Sequence, residues 1–194
     1  MTEPRARPRS IVKFGLGETV FARVRERHAS MPVYGYSHRR EEGNLVGAVG
    51  EVVFERWLEA KGCPYEWLGS TRFDYRVGTA AATVEVKTKD RTIEPRRHFD
   101  VTVPAYNIDH QRPDWYVFVS LLRPRGTTDA FTHAFLVGAY PGAKYRDGAR
   151  FWDAGVVDPD NGTRFWTSCW NRPMSDLVNL DVARAEWMEA GQGS

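Results

Sequence analysis

Asp74, Glu85 and Lys87 are the side chains from which chemistry would start in this chain. They fall in the stretch FDYRVGTAAATVEVKTK, residues 73–89. Over residues 72–77, Phe73, Tyr75 and Val77 alternate with Arg72, Asp74 and Arg76, and over residues 82–89, Ala82, Val84 and Val86 alternate with Thr83, Glu85, Lys87 and Lys89. Period-two alternation on both sides of a short connection predicts a β-hairpin. Gly78 opens the connection and is free to take positive φ. Pairing the strands across the four residues Gly78–Ala81 sets Asp74 opposite Glu85. The polar residues must share one face because the apolar ones share the other. Directly paired Cβ atoms lie about 5 Å apart, so like charges there repel. Two carboxylates at that separation call for a proton, a cation or open water between them. Lys87, on the same face as Glu85, is a partial answer and a divalent metal is a better one. Mg²⁺ takes oxygen ligands, commonly one or two carboxylates with waters and phosphate oxygens. A metal beside a fixed ammonium group suits activation of water against a phosphodiester.

The hairpin needs a partner, and the clearest helix of the chain lies just upstream, over residues 44–61. Asn44 is placed to cap it, and Gly62 stands where a terminating glycine is expected. Leu45, Val49, Val52, Val53, Trp57 and Leu58 supply its apolar side. Gly47 and Gly50 each cost about 1 kcal/mol relative to Ala inside a helix, which implies a close approach by a neighbouring segment. Asn44, Gly47 and Glu51 stand at i, i+3 and i+7 and share a face. That face would direct the Glu51 carboxylate towards the hairpin.

The pattern Asp74, then Glu85-Val86-Lys87 on the next strand, resembles the PD-(D/E)XK nuclease superfamily. The run Asn44-Leu-Val-Gly47-Ala-Val-Gly50-Glu51 resembles the helix that many members carry before the hairpin, and the similarity extends more weakly to a closing segment near Leu180. One departure is that Phe73 stands where the family often has Pro. The resemblance implies a restriction-endonuclease-like core. It also implies Mg²⁺, replaceable by Mn²⁺, held by Asp74, Glu85 and the Val86 carbonyl with Glu51 completing the acidic shell. Lys87 would orient or deprotonate the attacking water, or stabilise charge on the phosphorane. The activity implied is that of a DNA nuclease, a hydrolase of the endonuclease type, with a homodimer among its compatible assemblies.

Basic residues near these motifs are candidates for phosphate contact. They are Lys89 and Arg91 beyond the acid-any-lysine triplet, and Arg39 and Arg40 before the helix. Net charge is only +2, so any nucleic-acid contact must rest on such local patches rather than on a global field. With 194 residues the chain has room for one domain with a real core. We read residues 1–10 as a basic arm broken by Pro4 and Pro8, 11–190 as one domain and 191–194 as a tail. Cys63 and Cys169 stand far apart without a CxxC, so neither a disulfide framework nor a zinc site is expected, and a cytoplasmic setting is the default. No stretch is apolar enough for a membrane span.

The remaining pattern predicts a helix over 18–29, an edge strand over 65–69, a short strand over 100–103 and a fully buried strand over 114–122. Further strands are expected near 131–140 and 164–170, with a helix within 141–151 and another over 182–190. DPDNG at 158–162 marks a turn. This order is that of an α/β protein with a mixed central β-sheet flanked by helices. Two other classes fit the same residues: a nucleic-acid-binding module of the same fold without activity, and a structural or assembly protein that uses its aromatic residues for partner contacts.

Overall fold

The computed structural model describes residues 11–30, 40–70, 72–127 and 130–189, with only the backbone at 40–42. The elements run β1 (Val12–Gly15), α1 (Glu18–Ser30), α2 (Arg40–Ala60), β2 (Tyr65–Trp67), β3 (Tyr75–Val77), β4 (Ala82–Arg91), β5 (Asp100–Pro104), α3 (Ala105–His110), β6 (Trp115–Leu122), β7 (His133–Pro141), β8 (Arg150–Trp152), β9 (Cys169–Pro173) and α4 (Leu180–Met188). Six strands form a mixed sheet in the order β1-β7-β6-β4-β3-β2. Within it β4 and β6 are parallel and the other neighbours antiparallel. The expected mixed α/β architecture, with helices flanking a central sheet, is present. The basic arm at 1–10, Arg39 and the tail at 191–194 lie outside the described residues, and of Arg40 only the backbone is described.

One face of the large sheet is covered by helices. Val20 and Val24 of α1, Val49, Val53 and Leu58 of α2, and Ala183 and Trp187 of α4 form one core with Val84, Val86 and Val117 of the sheet. The opposite face carries an element the sequence reading did not anticipate, a three-stranded sheet in the order β5-β9-β8. Val101 and Val103 of β5, with Tyr145, Met174 and Leu177, pack there against Tyr116, Phe118, Phe135 and Val137. With cover on both sides, β6 is buried along nearly its whole length, as its continuous apolar run predicts.

The hairpin forms in the expected register, Tyr75 pairing with Val84, Arg76 with Thr83 and Val77 with Ala82. Its turn depends on Gly78, whose φ is +73°. A Cβ at Gly78 would also stand 2.0 Å from the Trp187 carbonyl oxygen of α4, so no larger residue fits. Helix α2 closes as expected. The Cys63 N–H donates to the Leu58 carbonyl at 2.9 Å and the Gly62 N–H to that of Glu59 at 3.1 Å, the two bonds of a left-handed glycine stop.

Four expectations need correction. Helix α2 begins at Arg40, a full turn earlier than the capping reading, so Asn44 is an interior residue and not the cap. Gly47 faces open space and makes no close approach. Residues 141–151 hold only a single 3₁₀ turn, Gly142–Lys144, before β8 begins. A Cβ on Gly142 would meet the Pro113 carbonyl oxygen at 2.0 Å, and Gly148 has φ +74°, so this segment hugs its neighbour and then reverses. The late strand is Cys169–Pro173, not 164–170. Its partner β5 lies about 70 residues earlier in the chain, which local pattern does not reveal.

Candidate functional site

Alternation along β4 decides which way each candidate faces. Val84 and Val86 enter the core under α2, so Glu85, Lys87 and Lys89 face the other side of the sheet. There they stand beside Tyr116, Phe118 and Ser120 of β6, their partners in register. Asp74 sits one residue before β3, and the hairpin register projects it opposite Glu85. The Asp74 N–H donates to the Val84 carbonyl at 3.0 Å. The Val86 N–H in turn donates to Asp74 Oδ2 at 2.8 Å. A side-chain oxygen thereby fixes the Asp74 carboxylate against the strand that bears Glu85.

Glu85 is buried, with 5% of its surface exposed. Its Oε1 accepts from Lys87 Nζ at 2.6 Å, whereas its Oε2 is buried with no hydrogen-bond partner. A buried carboxylate oxygen without a donor carries a desolvation cost that a proton or cation would relieve. Burial raises the Asp74 pKa well above the usual carboxylate range, and repulsion from Glu85 and Glu51 pushes it the same way. Both neighbouring carboxylates thus favour the protonated form of Asp74.

Glu51 is engaged differently from the expectation. It stands on the α2 side of the sheet, and its Oε2 accepts from Arg27 Nη1 at 2.7 Å and from Trp67 Nε1 at 3.0 Å. Burial raises its pKa, opposed by the Arg27 guanidinium and the Trp67 hydrogen bond. Arg27 also reaches Glu55 with its second terminal nitrogen and the Tyr75 hydroxyl at 3.1 Å with its first. Its guanidinium carbon lies 3.9 Å from the centre of the Trp67 ring. Arg23 adds a contact of 2.7 Å to Glu55. Glu51 thus belongs to an ion network between α1 and α2, next to the Asp74–Glu85 pair but not joined to it. Among the described residues no three His, Cys, Asp or Glu side chains are grouped to hold a metal ion.

Residues that could hold a divalent ion are therefore Asp74 and Glu85, with the Val86 carbonyl on the same strand. The chemistry of this donor set fits a hard cation, since it offers two carboxylates and one unsatisfied buried oxygen.

Sequence reasoning missed two supports of the site. Lys87 Nζ donates to Gln111 Oε1 at 3.1 Å as well as to Glu85, and Asn107 Nδ2 donates to the same Gln111 oxygen at 2.9 Å. Asn107 and Gln111 are i and i+4 at the end of α3, which puts them on one side. That spacing was visible in the sequence, but nothing there pointed it at Lys87. The second is Arg27, whose burial among carboxylates looks in sequence like one more charge on an exposed helix.

Lys89 and Arg91 are not open basic groups. They line a cavity of about 20 Å³ together with Lys87, Thr88, Val101, Thr102, Phe118, Val119 and Ser120. Arg91 Nε donates to Ser120 Oγ at 3.2 Å, and its Nη2 to the Asp100 carbonyl at 2.5 Å. Burial lowers the pKa of both side chains. Arg91 is thus a structural tie between the two sheets. Among the described residues no helix is long and apolar enough to cross a membrane. Comparison with family models, with curated proteins and with solved structures finds no match.

Proposed function

We propose that this protein is a divalent-metal-dependent nuclease of restriction-endonuclease-like fold, acting on phosphodiester bonds, with DNA as its substrate. The observation that carries the reading is the unpartnered, buried Oε2 of Glu85, beside the Lys87 ammonium and across the hairpin from Asp74. Asp74 and Glu85 would hold Mg²⁺ or Mn²⁺, with the Val86 carbonyl as a further donor. Such an ion, when bound, lowers the pKa of a coordinated water and offsets charge on the scissile phosphate.

The chain's own residues then divide the remaining work. Val86 N–H holds Asp74 Oδ2, so that carboxylate is oriented before any ligand arrives. Lys87, held between Glu85 and Gln111, would orient or help deprotonate the attacking water, or stabilise charge on the phosphate. Asn107 anchors the Gln111 amide and so limits the freedom of Lys87. Glu51 supports the acidic field at Asp74 while Arg27 restrains it.

Lys87→Ala should abolish cleavage while leaving DNA affinity within about threefold, because one lost phosphate contact changes affinity little compared with a lost catalytic group. Cleavage of linear, circular and single-stranded DNA in Mg²⁺, followed on gels, reads this directly. Cleavage that survives in the variant would remove Lys87 from the mechanism. The capture of Glu51 by Arg27 and Trp67 favours one second reading, an inactive nucleic-acid-binding module. Calorimetric titration with Mn²⁺ separates the two, since the inactive module would neither bind the ion at Asp74 and Glu85 nor cleave.

A further inference from the structure

The exposed aromatic residues beside α3 are not used by the proposed chemistry, yet they lie one helix away from it. Tyr106, with 58% of its surface exposed, stacks on His110 at 4.0 Å between ring centres and 24° between planes. Tyr106, Asp109 and His110 are i, i+3 and i+4, so they share a side of α3. Asp109 pairs with Arg146. The Arg146 guanidinium lies over the Trp170 ring at 5.7 Å, and Trp170 packs on Phe151 at 5.0 Å. Phe151 is 42% exposed. These contacts link α3 through Arg146 and the half-buried Trp170 of β9 to Phe151 of β8. The start of α3 is tied to the same region, because the Ala105 N–H donates to the Ser168 carbonyl at 2.8 Å. Two residues before Ser168 stands Trp166, 72% exposed.

The adjoining side of α3 carries Asn107, which donates to Gln111 at the helix's C-terminal cap, and Gln111 in turn accepts from Lys87. One short helix thus has a ring-bearing side and a side that positions the candidate catalytic lysine. Exposed rings accompanied by arginine or histidine match unpaired nucleobases, which offer flat π faces next to an anionic backbone. Bases inside a duplex are already stacked on one another and do not present those faces.

We propose that Tyr106, His110 and Phe151, backed by the half-buried Trp170 ring, form a base-stacking shelf for single-stranded nucleic acid beside the α3 residues that support the Lys87 site. The inference rests on the nuclease reading for its substrate class, but the shelf's binding does not depend on cleavage. The shelf accepts a strand without sequence preference, because every base has a π face. Its substrate is then a single strand, or the frayed end of a duplex, rather than an intact helix.

The test is fluorescence anisotropy in EDTA, at one fixed salt concentration. The probe is a labelled oligothymidylate of about 16 nucleotides, the upper end of common site sizes, compared with a duplex of the same length. The unaltered protein should bind the single strand more tightly than the duplex. The double variant Tyr106→Ala/Phe151→Ala should lose about tenfold or more for the strand, with little change for the duplex. Thermal melting checks that the variant folds. Should Phe151→Ala lower the melting point, Tyr106→Ala alone carries the test, and Tyr106→Trp should retain binding. Equal loss on strand and duplex, or no loss, overturns the shelf. So does failure to bind any oligonucleotide by a protein that self-associates through this patch. Cleavage assays on the same protein keep the two readings apart. Duplex cleavage without strand preference sinks the shelf alone, and ring-dependent strand binding without cleavage of any DNA sinks the nuclease reading alone.

Discussion

Asp74 and Arg27 show how differently a charge can be held within one small region. Burial and two neighbouring carboxylates raise the Asp74 pKa, so the folded protein holds that proton more tightly than the unfolded chain does. Between the ordinary carboxylate value of about 4 and the raised folded value, the folded state binds more protons, and stability falls as pH rises through that window. Asp74→Asn removes the ionisation and keeps an acceptor for the Val86 N–H. Without divalent ions, the variant should melt at a higher temperature than the parent at neutral pH, and the difference should shrink towards pH 4. Added Mn²⁺ should raise the parent's melting temperature and leave the variant's unchanged. A parent that gains nothing from Mn²⁺ argues against a cation at this carboxylate. Arg27 is the opposite case, a cation held by two buried carboxylates and a tyrosine hydroxyl. Arg27→Ala leaves Glu51 without a guanidinium and Glu55 with that of Arg23 alone, and removal of one partner from a buried pair typically costs about 3–5 kcal/mol. Arg27→Lys should recover only part, since a single ammonium cannot fork to Glu51 and Glu55 together. Urea denaturation of the three proteins gives the comparison, and a loss below about 1 kcal/mol for Arg27→Ala would mean that water replaces the guanidinium.

At the scale of elements, the contact between α2 and β4 carries the argument. A Cβ at Gly50 would lie 1.9 Å from Thr88 Oγ1 and 2.9 Å from Thr88 Cβ. Gly50→Ala should therefore push α2 off the sheet despite the better helix propensity of Ala, at a net cost of about 1–3 kcal/mol. Thr88→Ala should relieve only part of it, because the Cβ contact remains. A double-mutant cycle by denaturant melts reads the coupling, and additive effects would show that the helix shifts freely. Gly50 was legible in the sequence because a glycine inside an apolar helix demands a reason. Gly47 looked the same and has none, since it faces open space. The hairpin's register was legible because alternation on both strands and a positive-φ glycine agree on it, although the first strand begins only at Tyr75 and the second runs on to Arg91. The Asp74–Glu85 opposition followed from it. The start of α2 was not legible, because Asn44 is as good a cap as any and nothing local says that four more residues join the helix. Nothing local in the sequence singles out Glu55, yet it is 2% exposed, since its partners Arg23 and Arg27 come from a different helix. The small sheet was hidden for a related reason. Two of its strands, β8 and β9, are three and five residues long, too short to show a period.

At the scale of the whole molecule, the question is whether the two sheets are one folding unit. They share a core in which Val101 and Val103 meet Tyr116, Phe118, Phe135 and Val137. Polar ties reinforce it. The Tyr145 hydroxyl, with one proton to donate, lies within hydrogen-bond reach of the Val101 carbonyl at 3.3 Å and the Trp170 carbonyl at 3.2 Å. Buried Arg172 of β9 lies over the Tyr140 ring of β7 at 4.2 Å and pairs with Asp176 at 3.1 Å. The two free cysteines report on the two halves. Cys63 lies in the helical core, its sulfur 3.6 Å from that of Met188. Cys169 lies in the small sheet with Trp152 and Phe165. Burial pushes the Cys169 thiol up to about 11 and raises that of Cys63 as well. Neither should react with a thiol reagent at pH 8 in the native protein, because the thiolate is the reactive species and neither sulfur is accessible. If the shared core makes the fold cooperative, both cysteines become reactive at the same urea concentration. Labelling across a urea series, with each site resolved by peptide mass spectrometry, reads the two midpoints separately. A Cys169 midpoint well below that of Cys63 would mean that the small sheet detaches while the helical core stands, and α3 would then release Gln111 from Lys87 before the rest of the protein unfolds.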